Sequence, residues 1–410
     1  MKISWIWKGD VYDNWSWLLR IACVSHQSEE EDEEEIGSRS RLHVKRWTLV
    51  KNSLACLWFI GQAIRISFSG YIETENHHLR GHTLIGTGSI YKLIIPLSGF
   101  VSTECCLYRV AVLCLTLTGD WKFLQIIKRM TREQDYRLRE QKVKVLRYTF
   151  VVALIAMIAF LLPAVAILSL AMVVNVRNSS LTVAVAWIFW WMVDVILILT
   201  SACDAILFPV IWILSALDYR LQLMHLLQMI GNILRSGNTR FRANGPLDVV
   251  MTIALRDISL RAQYLNRSAS PILFILILYT TPIAVFCSFV SSHTDYLLIA
   301  FGLPVAGLAI LASACALLAL AADLTAKSEK VYASLSTLAF RRANLPLDRR
   351  VKLLHIMEEC GSKEQPLALY NMTGEKYTHL TFAEYLVETA IQYTLLVSFV
   401  AYWNLTSDSL

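Results

Sequence analysis

A chain of 410 residues that is 56% hydrophobic and 17% charged falls well short of the roughly 25% charged residues of a soluble domain. The deficit is concentrated in long uncharged stretches, which excludes an ordinary soluble globular protein. The net charge of +6 does not point to a nucleic-acid partner, because the basic residues flank apolar stretches and form no aromatic-interleaved patch.

The first 51 residues lack a signal-peptide core, and the chain's start is expected to be retained in the cytosol. They hold the run Glu29–Glu30–Glu31–Asp32–Glu33–Glu34–Glu35. Like charges at that density repel, so a loop without packed structure is expected there. Residues 52–71 form the first expected membrane span, interrupted by Arg65. Residues 93–118 form the second, with Glu104 and Arg109. These two stand five residues apart, a poor spacing for a pair on one helix, so each is expected to find its partner on another helix.

Three segments, 148–174, 268–294 and 296–322, carry no charge and each exceeds the ~20 residues that cross a bilayer as a helix. The last two, separated by Asp295, read as a tight helical hairpin. Between the first and second of the three lies 181–217, which contains Asp194 and Asp204. At the helical rise it measures roughly 55 Å, more than the ~30 Å hydrocarbon core, so it either tilts or extends beyond the bilayer. Residues 381–403 form the last span. The sum is an all-α polytopic membrane protein with seven transmembrane helices.

Intervening segments 119–147, 218–270 and 324–360 read as polar helices beneath the membrane, with breaks at Ser236–Gly237–Asn238, Asn244–Gly245–Pro246 and Asn344–Leu345–Pro346. The organisation is a cytosolic segment 1–51, spans with cytosolic extensions over 52–323, anchor helices over 324–378, and a final span with an outer tail over 379–410. Orientation follows from the reluctance of Lys and Arg to cross lipid. With a cytosolic N-terminus, the inner loops hold 32 Lys/Arg and the outer loops hold Arg80 and Arg177. The sequons at Asn178 and Asn404 then face outside, as candidate glycosylation sites.

No phosphate loop, nucleophile elbow or metal-ligand spacing is present, so no enzyme activity, cofactor or metal is expected. His77, His78 and His82 read as solvated loop residues. The nine cysteines read as small hydrophobes, not a disulfide framework. Ionisable residues inside spans carry more information, because lipid penalises them unless they face a cavity or a partner.

Trp187, Trp190, Trp191 and Asp194 recur at i, i+3, i+4 and i+7, which sets an aromatic wall and a carboxylate on one helix face. Such a face suits a polyhydroxylated or cationic small molecule. An interfacial tryptophan belt, with Asp194 bonded to a neighbouring helix, is the alternative. In the last span, Glu384, Glu388 and Gln392 repeat every four residues, with Leu395, Leu396 and Phe399 beyond them. Repeated around an axis, the glutamates form acidic rings that favour cations, and the apolar residues form a gate that closes by dewetting. The alternative has both glutamates pairing with cytosolic Lys or Arg.

In layout, and in the stretch LALYNMTGEKYTHLTFAEYLVETAIQYTLLVSF, the chain resembles the insect-type chemoreceptor superfamily, specifically an arthropod gustatory receptor. The family's last span carries Thr-Tyr, five hydrophobic residues and Gln-Phe. One placement sets Phe399 on the family Phe, Ser398 on Gln, Tyr393–Val397 on the hydrophobic run, Gln392 on Tyr and Ile391 on Thr, with the Phe and most of the run matching; placing Tyr393 on the family Tyr instead loses the final pair. The resemblance implies a ligand-gated, non-selective cation channel of four subunits, homomeric or with related subunits, in the plasma membrane. It implies one pore lined by the last helices, including Ser398 and Phe399, and a tastant pocket in the outer half of each helix bundle. A seven-helix G-protein-coupled chemoreceptor and a secondary transporter are the competing readings.

Overall fold

The computed structural model describes residues 11–21, 38–71, 81, 90–118, 123–133, 135–235, 247–292, 297–341, 350–351, 354–355, 357–358, 367–370 and 374–407, with some side chains within these left aside. The described residues are almost wholly helical. Helix α1 spans Val11–Ile21, α2 Ser38–Tyr71, α3 Ile90–Thr118, α4 Phe123–Thr131 and α5 Tyr136–Arg177. Helix α6 spans Leu181–Arg235, and α7 spans Leu247–Tyr264 and runs through a π-helical turn, Leu265–Ala269, into α8, Ser270–Ser292. Helix α9 spans Leu297–Arg341 and α10 His379–Ser407. The acidic run, the three histidines of the first outer loop and the three expected loop breaks lie outside the described residues.

Five segments are long and apolar enough to cross a membrane: Leu97–Thr118, Tyr136–Arg177, Leu181–Leu234, Ile253–Ser288 and Gly302–Leu338. They make the chain a multi-pass membrane protein. The other two expected spans also lie in helices, α2 and α10. These are the more polar ones, carrying Arg65 and the pair Glu384 and Glu388.

The long central segment lies within one unbroken helix. Helix α6 has 55 residues, about 80 Å at the helical rise, and runs from the expected span through the polar helix expected after 217, ending at Arg235. Helices α5 and α9 are likewise longer than a span, at 42 and 45 residues. Helix α5 begins at Asp135, whose carboxylate accepts from the backbone N–H groups of Arg137 at 2.9 Å and Leu138 at 3.3 Å. The bond from Leu138, then that from Arg137, holds its carboxyl below the usual range.

Helix α2 packs on α3, α5 on α6, and α8 on α9, as the expected hairpin requires. Helix α3 also packs on α8, and α6 on α9. One continuous core runs through the bundle, where Trp212, Tyr219, Leu273 and Leu317 are all buried. Helix α10 is the outlier. It leans on α8 and α9, yet from Glu384 to Leu395 Tyr385 is its buried residue and Thr389 its half-buried one, with the rest exposed.

Candidate functional site

The ionisable groups within the helices sort into two kinds. The arginines are matched. The Arg65 guanidinium donates to the Asp194 carboxylate at 2.6 Å and to the Gly81 carbonyl at 2.6 Å, joining α2, the α2–α3 connection and α6. Arg109 donates through Nε to Asp204 at 2.8 Å and through Nη2 to the same carboxylate, making a bidentate pair across α3 and α6. It also reaches Asn52 on α2 at 3.2 Å. Both pairs are buried, with side-chain exposures of 14% and 4% for the first, 5% and 0% for the second. In such surroundings an unmatched charge is far more costly than a matched one. These pairs were not derivable from spacing, because each joins residues about a hundred positions apart. The signal available was the presence of two arginines and two aspartates inside spans.

Arg109 therefore finds its partner on another helix, as expected. Glu104 does not, because the Tyr108 hydroxyl, one turn along its own helix, donates to it at 2.8 Å. A turn of α-helix sets i and i+4 side by side, and a spacing rule for opposite charges does not register a phenol.

Around Asp194 the expected aromatic face divides. Trp187 is buried against Val176 and Val183. The Trp191 indole N–H donates to Ser169 of α5 at 3.2 Å. These two tryptophans thus serve the α5–α6 contact. Trp190 faces the other way, with the Arg65 guanidinium 5.6 Å from its ring centre, a cation–π arrangement. Gly81 lies over the same ring in a left-handed conformation, φ +74°, and a Cβ there would stand 3.2 Å from Trp190 Cζ2. Glycine is required at that point on both counts. The cluster, on the side that the charge distribution is expected to turn outward, is therefore Arg65, Gly81, Trp190 and Asp194. Arg65 and Gly81 are the members that sequence reasoning missed.

The second kind of group lies on α10. Glu384, Glu388, Gln392 and Leu395 share one face, and all four are exposed. Gln392 donates to Glu388 at 3.3 Å. Among the described residues no Lys or Arg forms an ion pair with either glutamate. The alternative of pairing with cytosolic cations is thus not realised among those residues. Ser398 is exposed, whereas the side chains of Leu396 and Phe399 lie outside those described. On the opposite face, Tyr385 and Thr389 meet the Thr281 hydroxyl of α8 at 3.0 and 3.5 Å. Asn178 is exposed at the end of α5. Asn404 lies within α10, and its side chain is outside those described.

The stretch leading into α10 is tethered at several points. The Leu367 carbonyl accepts from the buried Tyr219 hydroxyl of α6. Asn266, in the π turn, donates to the Ala368 carbonyl at 3.0 Å and accepts from the Tyr370 N–H at 2.9 Å. Ser270 donates to the Tyr370 carbonyl at 2.8 Å. Tyr370 and Lys376 pair in a single antiparallel bridge.

This arrangement of long helices matches a known architecture. The solved structure of the insect olfactory receptor OR5 from Machilis hrabei superposes with a TM-score of 0.57 over 94% of this chain and 99% of that one, at 11% identity. The chain has an insect olfactory receptor fold. Neither a family model nor a curated protein matches the sequence. At this identity the receptor fold is recognisable through architecture and not through residue-by-residue likeness. The resemblance read in the sequence is accordingly borne out at the level of fold. Within the receptor fold, the outer cluster and the exposed acidic face of α10 are the two places where chemistry departs from what packing alone requires.

Proposed function

We propose that the chain is a gustatory receptor of the insect-type chemoreceptor superfamily: a ligand-gated, non-selective cation channel opened by a small-molecule tastant. Four subunits, identical or related, surround one pore in the plasma membrane, with each N-terminus in the cytosol. The observation that carries this reading is the state of α10. The buried aspartates Asp194 and Asp204 are matched by arginines, but Glu384 and Glu388 project from an apolar helix with no matching cation among the described residues. Lipid cannot receive two carboxylates without a large cost. Water in a central path can, and rings of carboxylates around such a path attract cations. The fold likeness and the 32-to-2 distribution of basic residues support the same arrangement.

The outer cluster is the proposed tastant site. Arg65 already neutralises Asp194 there, so a cationic ligand would have to displace a buried guanidinium. A neutral polyhydroxylated ligand does not. It stacks on Trp190 and exchanges hydrogen bonds with the ion pair. Binding opens the pore only in so far as the open state holds the ligand more tightly.

The test is current recording from expressing cells during a screen of sugars, polyols and amines. Ligand-evoked currents are expected to reverse near the cation potential. Glu384→Gln with Glu388→Gln is expected to reduce cation preference while leaving ligand sensitivity in place. Trp190→Ala is expected to shift the dose response by at least about tenfold, as loss of ~1.4 kcal/mol of binding would do. Unchanged selectivity in the glutamine variant overturns the pore assignment, and an unchanged dose response in Trp190→Ala overturns the ligand site.

A further inference from the structure

At the opposite end of the bundle from the outer cluster, a cavity of about 300 Å³ opens between α4, α6, α7 and the π turn. Asp218, Arg261, Arg129 and Arg267 line it, together with the apolar Leu260 and Ile126. Its level follows from α8, whose uncharged run starts at Ser268, one residue after Arg267. The cavity thus sits where hydrocarbon gives way to headgroups.

Asp218 is held by a buried network. Lys142, fully buried, bridges it at 3.0 Å and Glu133 at 2.6 Å. Arg261 pairs with Asp218 and, at 2.8 Å, with Asp257. That network engages Asp218, Glu133 and Asp257. With Arg129 and Arg267 at the rim, four cations face these three carboxylates, an excess of one positive charge. Arg129 stands 4.0 Å from Asp257, with both side chains well exposed, and that carboxylate is already committed to Arg261. Arg267 is exposed and has no ion-pair partner among the described residues. Above Arg267, Phe274 and Leu278 stand one turn apart and exposed on α8, an apolar track leading away from the arginines into the span.

We propose that this cavity binds the phosphorylated headgroup of an anionic membrane lipid, with Arg129 and Arg267 gripping the phosphate and the acyl chains lying along Phe274 and Leu278. Two exposed guanidiniums beside a cavity at headgroup depth, in a cluster with one positive charge in excess, provide the charge and donor geometry that phosphate oxygens take. Asn266 adjoins Arg267 in the same π turn and holds the 368–370 stretch of chain that leads into α10. An occupied site therefore stiffens the turn to which the α10 lead-in is tied. π turns of this type recur at functional positions.

The experiment uses the purified full-length chain in detergent and a fluorescent short-chain phosphatidylinositol bisphosphate. Short-chain phosphatidylcholine and free inositol trisphosphate serve as competitors. The lipid is expected to bind, phosphatidylcholine not to displace it, and inositol trisphosphate to displace it only at higher concentration, because it lacks acyl chains. Arg129→Gln with Arg267→Gln is expected to weaken binding by at least about tenfold, the loss of charge-assisted hydrogen bonds. The charge-matched control Arg177→Gln with Lys330→Gln is expected to bind as the parent does. Equal weakening in both variants, or none in the first, overturns the site. Inositol trisphosphate binding as tightly as the lipid overturns the lipid assignment.

Discussion

Single residues show how this bundle tolerates charge. Arg65 and Asp194 hold each other inside the helices, and neither has a reason to be there alone. Truncating one partner leaves the other stranded, which costs ~3–5 kcal/mol for a buried pair. Arg65→Ala and Asp194→Asn should therefore each lower the thermal midpoint of the purified protein clearly, as followed by thiol-reactive dye uptake. The exchange Arg65→Asp with Asp194→Arg should recover part of the loss. Additive loss in the double variant would show that the pair does not act as a unit. The Trp187–Asp194 spacing was legible as a structured helix face, and its carboxylate was legible as needing a partner. The partner was not, because Arg65 lies 129 positions away and only the packing of α2 brings it there. Gly81 was equally invisible, since its need for φ +74° and for space over Trp190 exists only once α6 is in place.

At the scale of elements, the stretch leading into α10 and the π turn form the mount on which that helix stands. Tyr377 is buried in that mount, its N–H donating to the Leu369 carbonyl at 3.0 Å. Burial pushes its phenol from 10 up to about 12, a side-chain hydrogen bond with Ser270 opposing the rise. The folded form thus favours the neutral phenol. Its contribution is complete below pH 10 and is lost as pH climbs through about 12, where the unfolded chain gains from ionisation first. Tyr377→Phe should accordingly flatten the alkaline limb of the stability profile between pH 10 and 12 while leaving the acid limb unchanged. A parallel shift at all pH values would contradict this cause.

Element existence was largely legible in the sequence, because uncharged runs of more than about twenty residues have few alternatives. Lengths were legible in part: the polar helix read after 217 continues α6 to Arg235, next to the expected break at Ser236, whereas the start of α2 at Ser38 left no mark in hydropathy. The π turn was also hidden, as Leu265–Ala269 has no composition of its own.

For the whole molecule, the described residues give a bundle with one main core, a smaller one where α2 meets α3 and α6, and a helix, α10, whose residues from Glu384 to Leu395 are mostly exposed. An apolar helix bearing Glu384, Glu388 and Gln392 on one exposed face is unfinished as a monomer in lipid. In the proposed channel, several copies around an axis would complete it by turning that face towards water. The overall architecture is written in the placement of charge along the chain. The acidic face is written there too, as a four-residue repeat. That no cation among the described residues covers it follows only from how α10 packs, since any of the 38 Lys and Arg side chains could have met it.

The most direct test of that claim is reagent access at the face itself. Glu388→Cys, in the full-length protein in native membranes, should react with a membrane-impermeant cationic thiosulfonate, with modification read by mass spectrometry of the peptide containing position 388. Water along α10 predicts rapid modification there and slow modification of Leu386→Cys, which lies off that face. Modification of Glu388→Cys only by a membrane-permeant maleimide would place the face in lipid and contradict the channel account.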